Sequence, residues 1–346
     1  MKVEVGVLGA TGMVGQQLVR LLENHPWFEL KWVAASERSS GRTYGEAAAW
    51  RLAWPMPAAA RDLQVDECKP GRGPQVVFSG LDARAAQEVE PEFARCGHIV
   101  VSNAGSFRME PDVPLLVPEI NPEHLALAPL QKIRGWKGPI VTNPNCTTIT
   151  LVLALAALER RFGLARVVVT TMQAISGAGY PGVPSLDILG NIIPFIRNEE
   201  EKVEAETRKI LGQLKNGRVE EALISVSAQT NRVPVLDGHT ESISVELREP
   251  AGLEDLKEAW RSFRGLPQQR QLPSAPLQPV IVMEEQDRPQ PRLDVERERG
   301  MAVFVGRARR CPVLDYKFTA LGHNTVRGAA GAALLNAELM RSEGLF

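Results

Sequence analysis

The sequence has few cysteines, almost no net charge and no long apolar run, and each absence excludes a class of protein. Its 346 residues carry a formal net charge of −1, so no electrostatic attraction to nucleic acid or to an anionic membrane is expected. The four cysteines form no C-x-x-C pair, which argues against a metal site or a disulfide framework and favours a reduced cytoplasm. The longest apolar run, Leu151 to Leu158, is too short to span a bilayer.

Length and composition predict a two-domain globular protein, since 44% of the residues are hydrophobic and 23% are charged. Met1 to Val5 lead directly into a predicted strand, without the apolar segment and cleavage site of a signal peptide. Residues 265–292 are rich in proline and glutamine, and we interpret them as a long surface excursion of the second domain.

A cysteine lies next to the predicted start of a helix. Cys146 follows Asn143-Pro144-Asn145 and precedes Ile149 to Arg161, whose apolar density and basic end are typical of a buried helix. The unpaired N–H groups and the positive dipole of a helix start lower the pKa of a nearby thiol, so Cys146 is a candidate nucleophile. The alternative is a small buried apolar residue, because most isolated cysteines are of that kind.

A glycine-rich turn near the start of the chain predicts a dinucleotide site. A short β-type run over residues 3–8 enters a G-x-x-G-x-x-G turn, and a helical pattern follows through Leu22. Such a turn lets backbone N–H groups approach a pyrophosphate at the positive end of the helix. The spacing departs from the usual G-x-G-x-x-G, and a merely structural βα turn is the alternative. The candidate cofactor contacts in the turn are Gly9, Thr11, Gly12, Met13 and Val14.

The end of the second predicted strand bears on cofactor choice. Ser36 stands where a carboxylate usually binds the ribose 2′-hydroxyl of NAD. Arg38 and Ser39 supply a cation and a donor for a 2′-phosphate, so NADP is favoured. Glu37 leaves NAD open, because a shift of one residue would direct its carboxylate at the ribose.

Two further strands, over 75–79 and 98–102, flank a predicted helix over 82–95. They are continuous apolar runs, which is typical of a parallel sheet covered on both faces. Ligands bind at the carboxyl ends of such strands, and this directs Arg108 toward the crevice. A solvated surface arginine is the alternative.

Candidate catalytic and binding residues also lie at the ends of predicted strands in the second half of the chain. One predicted strand ends at Gln173, and Ser176 and Gly177 follow in a glycine-rich loop. His239 opens a strand of alternating pattern directly after an Asp-Gly turn, seven residues beyond Arg232. A histidine on such a turn is either an acid–base catalyst or a structural side chain, and the spacing alone leaves both open.

These segments form an ordered set of motifs along the whole chain: GATGMVG at 9–15, SNAGSFR at 102–108, NPNCTT at 143–148, ISGAGYPG at 175–182, GNIIPFI at 190–196, RVPVLDGHTES at 232–242 and LGHNTVRGAAG at 321–331. Together they resemble the aspartate-semialdehyde dehydrogenases, particularly the branch of archaea and fungi. The resemblance implies an α/β fold: a Rossmann-type doubly wound parallel sheet in an NADP-binding domain of residues 1–145 with 324–346, and an α/β catalytic and dimerisation domain of residues 146–323. It also implies a homodimer or a homotetramer.

The resemblance implies roles for the candidate residues. The nucleophile of the family falls on Cys146, its substrate-orienting glutamine on Gln173 and its acid–base histidine on His239. The arginine for the substrate carboxylate matches Arg232, and the arginine for the phosphate matches Arg108.

Further binding roles rest on the same resemblance. Glu199 resembles the glutamate that holds the substrate amino group, and Lys202 the lysine near the phosphate. The run of three glutamates leaves Glu200 open for the first role, and on charge pattern alone the run is typical of a solvated helix cap. Asn145 is a further substrate-binding candidate, and Asn324 resembles the residue that contacts the nicotinamide amide. Ser176 and Gly177 are cofactor-binding candidates.

The reaction implied by the resemblance is the NADP-dependent reductive dephosphorylation of L-4-aspartyl phosphate to L-aspartate 4-semialdehyde, through a cysteine thioester. That reaction belongs to the biosynthesis of lysine, methionine, threonine and isoleucine. A malonyl-CoA reductase with the same cysteine chemistry, an N-acetyl-glutamyl-phosphate reductase and a non-catalytic binding paralogue are the alternatives. Small-molecule substrates and a second copy of the chain are the expected partners.

Overall fold

A parallel sheet organises the first part of the computed structural model, which describes all 346 residues. Its strands are β1 (Val3–Leu8), β2 (Phe28–Ala35), β3 (Val65–Glu67), β4 (Val76–Ser79), β5 (Ile99–Ser102) and β6 (Ile140–Thr142). They lie in the order β3-β2-β1-β4-β5-β6, and every pair is parallel. Around them lie helices α1 (Met13–Leu22), α2 (Tyr44–Ala47), α3 (Ala58–Arg61) and α4 (Ala83–Arg95), and a 3-10 segment at Pro122–Arg134.

The strand order reverses between β1 and β4, which places the ligand-binding crevice of a doubly wound sheet at their carboxyl ends. β4 and β5 are buried along their full length, as expected for strands covered by helices on both faces. Asp82 caps α4 by accepting hydrogen bonds from the N–H groups of Arg84 and Ala85. The predicted Rossmann-type doubly wound sheet is confirmed.

The second sheet is mixed. Its strands are β7 (Leu164–Gln173), β10 (Ser225–Arg232), β11 (His239–Leu247), β12 (Val280–Val282), β13 (Val303–Arg310) and β14 (Tyr316–Gly322), in the order β10-β7-β11-β14-β13-β12. β8 (Gln213–Lys215) and β9 (Arg218–Glu220) form a separate hairpin. The helices of this part are α5 (Cys146–Phe162), α6 (Ser185–Ile188), α7 (Glu199–Ile210), α8 (Leu253–Ser262), α9 (Leu266–Gln269) and α10 (Pro291–Asp294), with 3-10 turns at Ile175–Ala178 and Arg297–Gly300.

Helix α5 carries the candidate nucleophile at its first residue. Asn145 is its N-cap, and the side-chain oxygen accepts hydrogen bonds from the N–H groups of Thr147 and Thr148. Every residue from Thr147 to Leu158 is buried, in a core shared with β7, β11 and Trp260. Because α5 is packed along its length, its N-terminus is a rigid platform for Cys146.

The end of the chain returns to the first sheet. After a π-helical turn at Val326–Ala330, helix α11 (Gly331–Ser342) is buried from Gly331 to Met340. Leu334 and Leu335 belong to the same apolar cluster as Val5 and Leu18. The boundaries at 145/146 and 323/324 stay a prediction, although this packing places α11 with the first sheet.

The proline-rich segment is not the surface excursion that its composition predicts. Val280 is fully buried within β12, the edge strand that pairs in parallel with β13. Leu272 is also buried and belongs to the apolar cluster of the first domain. The prediction was wrong because a proline-rich composition gives no information on exposure. This segment connects the two halves instead.

None of the helices combines the length and the apolar character that a membrane-spanning helix requires.

Candidate active site

A cavity of about 850 Å³ lies between the two domains. Gly9 and Gly80, which directly follow β1 and β4, form one part of its wall. Cys146 at the start of α5 and Asn324 near the end of the chain line another part. The cavity therefore joins the switch point of the first sheet to the candidate nucleophile.

The glycine-rich turn is shaped to receive an anion. Gly12 is the N-cap of α1 and offers no side chain to the first N–H groups of the helix, and the first turn contains no acidic residue. Those N–H groups and the positive end of the helix dipole are free for a pyrophosphate. Gly9 has a φ of +70°, and a Cβ on Gly15 would overlap the carbonyl oxygen of Gly9. All five candidates of this turn line the cavity: Gly9, Thr11, Gly12, Met13 and Val14.

The loop after β2 is only partly brought to the cavity. Ser36 and Glu37 line it, whereas Arg38 and Ser39 do not. Lys69 lies in the wall instead, where its Nζ is 2.5 Å from the carboxylate of Glu67. Sequence reasoning missed Lys69 because β3 has only three residues and too weak a pattern to be predicted.

The thiol of Cys146 faces the imidazole of His239. Sγ lies 3.2 Å from Nε2, and the N–H of Ala174 donates a hydrogen bond of 3.1 Å to Nδ1. Since Nδ1 accepts, the neutral imidazole carries its proton on Nε2, toward the sulfur. Gly177 makes room for this pair, because a Cβ there would lie 3.0 Å from Cε1 of His239 and 2.9 Å from Nη1 of Arg232.

Burial dominates the ionisation of this pair. Desolvation raises the pKa of Cys146 to about 12, with a further contribution from Glu199, while Arg108 and Arg232 act in the opposite direction. Desolvation also lowers the pKa of His239 to about 3, helped by the charge of Arg232. The unliganded pair is therefore a neutral thiol beside a neutral imidazole. The lowered pKa expected from the helix start was wrong, because desolvation and Glu199 outweigh Arg108, Arg232 and the N–H of Thr147, and Asn145 already accepts from the first N–H groups of the helix.

Arg108 lies in the loop after β5 and lines the cavity, as its position at a strand end predicted. Its guanidinium is buried, donating to Glu206 Oε1 at 3.0 Å and to the carbonyl oxygen of Asn103 at 2.7 Å, while its Nε has no partner. The second carboxylate oxygen of Glu206 accepts a hydrogen bond of 2.7 Å from the backbone N–H of Asn145. Sequence reasoning missed Glu206, although its spacing of seven from Glu199 places both residues on one face of α7.

Arg232 and Gln173 are paired neighbours at the ends of β10 and β7. Arg232 is buried, and its Nη1 donates to the carbonyl oxygen of Ala174 at 2.7 Å. Gln173 is also buried, and its amide donates to Thr171 Oγ1 at 3.3 Å. Neither side chain lines the cavity, but Arg232 is close enough to Cys146 for its charge to affect the thiol.

The helix start at α7 separates the two candidate glutamates. Glu199 is buried and accepts a hydrogen bond of 2.9 Å from the side-chain amide of Asn145. Glu200 instead accepts a hydrogen bond from the N–H of Thr230 on β10. Lys202 is half-exposed, with its Nζ 3.9 Å from Glu199. Only Glu199 is therefore next to the nucleophile.

Asn324 connects the end of the chain to the loops around His239. Its side-chain oxygen accepts from the N–H of Gly238 at 2.8 Å, and its amide nitrogen donates to Ser176 Oγ at 2.8 Å. Asn324, Ser176 and Gly177 all line the cavity on the side of Cys146. Gly328 packs against Cys146 from the same segment, since a Cβ there would lie 2.7 Å from the cysteine Cβ.

Two sequence profiles match this chain. The profile described as "Semialdehyde dehydrogenase, NAD binding domain" matches residues 4–128, and the one described as "Semialdehyde dehydrogenase, dimerisation domain" matches residues 155–327. The two matches fall on the two sheets, so the family assignment and the fold agree.

Similar proteins extend over the whole chain. An aspartate-semialdehyde dehydrogenase of Methanothermobacter thermautotrophicus is 53% identical, with 98% of this chain and 99% of the relative covered. The enzyme of that name from Saccharomyces cerevisiae is 46% identical, with 98% of each chain covered. The crystal structure of aspartate semialdehyde dehydrogenase with NADP from Candida albicans superposes with a TM-score of 0.93 at 43% identity and covers 99% of both chains. The chain therefore belongs to the aspartate-semialdehyde dehydrogenase family, in the branch found in archaea and fungi, as the motifs predicted.

Proposed function

We propose that this protein is an NADP-dependent aspartate-semialdehyde dehydrogenase. It converts L-4-aspartyl phosphate to L-aspartate 4-semialdehyde and phosphate, with Cys146 as the nucleophile. The observation that carries the proposal is the 3.2 Å approach of the Cys146 thiol to the His239 imidazole. Cys146 lines a cavity that begins at an uncapped glycine turn, and the fully buried His239 lies behind it, against the cavity-lining Gly177. The membership of the family, through relatives of that name, supplies the substrate.

The cofactor is held by the first domain. The N–H groups of Met13 and Val14 would bind the pyrophosphate, since that of Gly12 donates to the carbonyl oxygen of Gly9. Ser36 would hold the adenosine end, and Ser176 and Asn324, which line the same cavity as Cys146, would hold the nicotinamide end. The bound NADPH supplies the hydride that reduces the acyl group. A cofactor named NADP in the similar Candida albicans structure supports this choice.

In the acylation step the sulfur of Cys146 attacks the acyl carbon, and the bond from that carbon to the phosphate oxygen breaks. The thiol proton leaves with the phosphate, so the products are a thioester and hydrogen phosphate and no external proton is required. The Nε2–H of His239 stabilises the oxyanion that forms, because the N–H groups of Thr147 and Thr148 at the start of α5 already donate to Asn145. Arg108 lines the cavity and binds the phosphate through the guanidinium N–H groups that Glu206 and Asn103 leave free.

In the reduction step the acyl carbon accepts a hydride, and the resulting tetrahedral oxyanion expels the sulfur as a thiolate. The semialdehyde leaves, and Cys146 recovers its proton from solvent. His239 donates a hydrogen bond from Nε2 to the oxyanion and then to the departing sulfur and keeps its proton, which lowers the energy of both charged species. Acid–base catalysis by His239 in the full sense would need the other tautomer, which the N–H of Ala174 opposes.

Two charged groups fix the amino-acid end of the substrate. The resemblance assigns the α-carboxylate to Arg232, which lies behind the cavity-lining Gly177, and the ammonium group to Glu199. Lys202 contributes to the phosphate end, and Gln173 orients the substrate from the end of β7. Asn145 holds Glu199 in place through its side-chain amide.

The active protein is a homo-oligomer, a homodimer or a homotetramer. An exposed apolar set in the segment after the Gly177 loop supports this proposal, namely Leu186, Leu189, Ile192 and Phe195. These residues fall within the match to a profile described as a dimerisation domain. Isolated apolar side chains at the surface are ordinary, but four within ten residues are typical of a protein interface. A cytoplasmic location stays a prediction.

The direct test is phosphate-dependent formation of NADPH from L-aspartate 4-semialdehyde and NADP. The proposal predicts activity that requires phosphate or its analogue arsenate. Malonyl-CoA with NADPH is the matched control for the alternative reductase, and oxidation of NADPH by malonyl-CoA alone would contradict the proposal. Replacing NADP by NAD at equal concentration then measures cofactor preference.

A further inference from the structure

We propose that Glu206 is a positioning residue that sets the phosphate-binding arginine at a fixed distance from the nucleophile. This inference deepens the proposed function and rests on it. Glu206 contacts neither the cavity nor Cys146. It acts through Arg108 and through the backbone of Asn145.

One carboxylate contacts both groups. Oε1 of Glu206 accepts from Nη1 of Arg108 at 3.0 Å, and Oε2 accepts from the N–H of Asn145 at 2.7 Å. Glu206 is only 2% exposed and Arg108 only 7% exposed. Charge-assisted hydrogen bonds in such a buried place are short, directional and costly to break. The contact therefore fixes a side chain from the first domain relative to Asn145, the N-cap of α5.

Helix α7 also holds the backbone of the Arg108 loop. Lys209, three residues beyond Glu206, donates to the carbonyl oxygens of Arg108, Glu110 and Val113 at 2.6, 2.8 and 3.0 Å. Lys209 maintains the path of the loop, and Glu206 maintains the direction of the guanidinium. The two roles are separable, because only Glu206 also contacts the start of α5.

The consequence for catalysis is geometric. The phosphate bound by Arg108 is attached to the carbon that the sulfur of Cys146 attacks, so the angle of attack depends on the relative position of these two residues. Glu206 bonds to Arg108 on one side and to the residue preceding Cys146 on the other. Nη1 and Nη2 of Arg108 each have a protein acceptor, which leaves Nε without one. The guanidinium is thereby held before phosphate arrives.

The experiment compares Glu206→Gln with Glu201→Gln, an exposed glutamate on the same helix. The glutamine side chain has only one acceptor oxygen, so it can accept a hydrogen bond from Arg108 or from the N–H of Asn145 but not from both. In Glu206→Gln the KM for phosphate should rise about tenfold, while the KM for semialdehyde and the Kd for NADP change less than about twofold. The control variant should match the wild type in all three.

A double-mutant cycle with Arg108→Lys separates positioning from general destabilisation. If Glu206 acts through Arg108, the double variant should have nearly the phosphate KM of Arg108→Lys alone. The inference would be overturned if the two substitutions multiplied their effects on the KM for phosphate. It would also be overturned if Glu206→Gln raised the KM values for phosphate and for semialdehyde by the same factor. Should Glu206→Gln have a melting temperature too low for assay, Glu206→Asp keeps the charge but cannot reach both groups, and the same split in KM is required of it. If the wild type had no phosphate-dependent activity, the proposed function would be refuted instead. The role of Glu206 would then be tested by the shift in melting temperature that phosphate causes. Equal shifts in the wild type and in Glu206→Gln would overturn the positioning role.

Discussion

Alkylation of Cys146 by iodoacetamide should be slow in the unliganded protein and should accelerate steadily with pH. With a pKa of about 12, the thiolate fraction at pH 7 is about 10⁻⁵. An ordinary cysteine with a pKa of about 8.5 has a few per cent of thiolate at that pH. Because a more basic thiolate is also more nucleophilic, Cys146 should react about 10²-fold more slowly. Because the thiolate is the deprotonated form, the rate constant should increase about tenfold per pH unit between pH 6 and pH 9, without a plateau.

Peptide mass spectrometry after timed alkylation gives the rate at each cysteine. Cys96 is exposed in the same molecule and serves as an internal reference. A Cys146 that reacts faster than Cys96 at pH 7, or whose rate levels off near that pH, would refute the argument that desolvation outweighs the helix start. The sulfur would then be a thiolate at rest, as the sequence alone predicts.

Three further predictions concern the residues around the sulfur. Glu199→Gln removes the negative charge that raises the pKa of Cys146, so alkylation at pH 8 should become faster than in wild type, and an unchanged rate would contradict the electrostatic argument. His239→Asn should lower kcat about 10²–10³-fold with little change in KM, because a donor to the oxyanion is displaced; a change in KM alone would make it a binding residue. Arg232→Lys should raise the KM for semialdehyde about tenfold, since an ammonium cannot make two planar contacts, and an unchanged kcat/KM would exclude the clamp.

The fold was predictable because its signals are local. The strand before the glycine turn follows from a short β-type apolar run, and the buried helix after Cys146 follows from its apolar density and its basic end. The proline-rich segment was not predictable, because Leu272 and Val280 are buried by contacts with residues distant in the sequence. Composition does not report such contacts.

The residues of the candidate site were predictable from the sequence, but the pKa values of their side chains were not. The motifs predicted that Cys146 and His239 belong to one site, and in the structure Sγ of Cys146 lies 3.2 Å from Nε2 of His239. The pKa of the thiol depends on how many atoms surround it, which no local pattern encodes. Glu206 escaped notice because its role requires Arg108, 98 residues earlier, to lie against α7. Arg38 was assigned from its distance past the second strand, and the path of the loop, which brings Ser36 and Glu37 but not Arg38 to the cavity, is not encoded in that spacing.

The most direct test of the central claim is to detect the acyl group on Cys146. The protein is mixed with L-4-aspartyl phosphate in the absence of NADPH, quenched in acid and digested, and the peptide that contains Cys146 is examined by mass spectrometry. The account predicts a hydroxylamine-sensitive aspartyl thioester on Cys146, with phosphate released in equal amount, and no adduct in Cys146→Ala, which still binds NADP. Turnover by Cys146→Ala, or phosphate release from the wild type without any acylated sulfur, would contradict it.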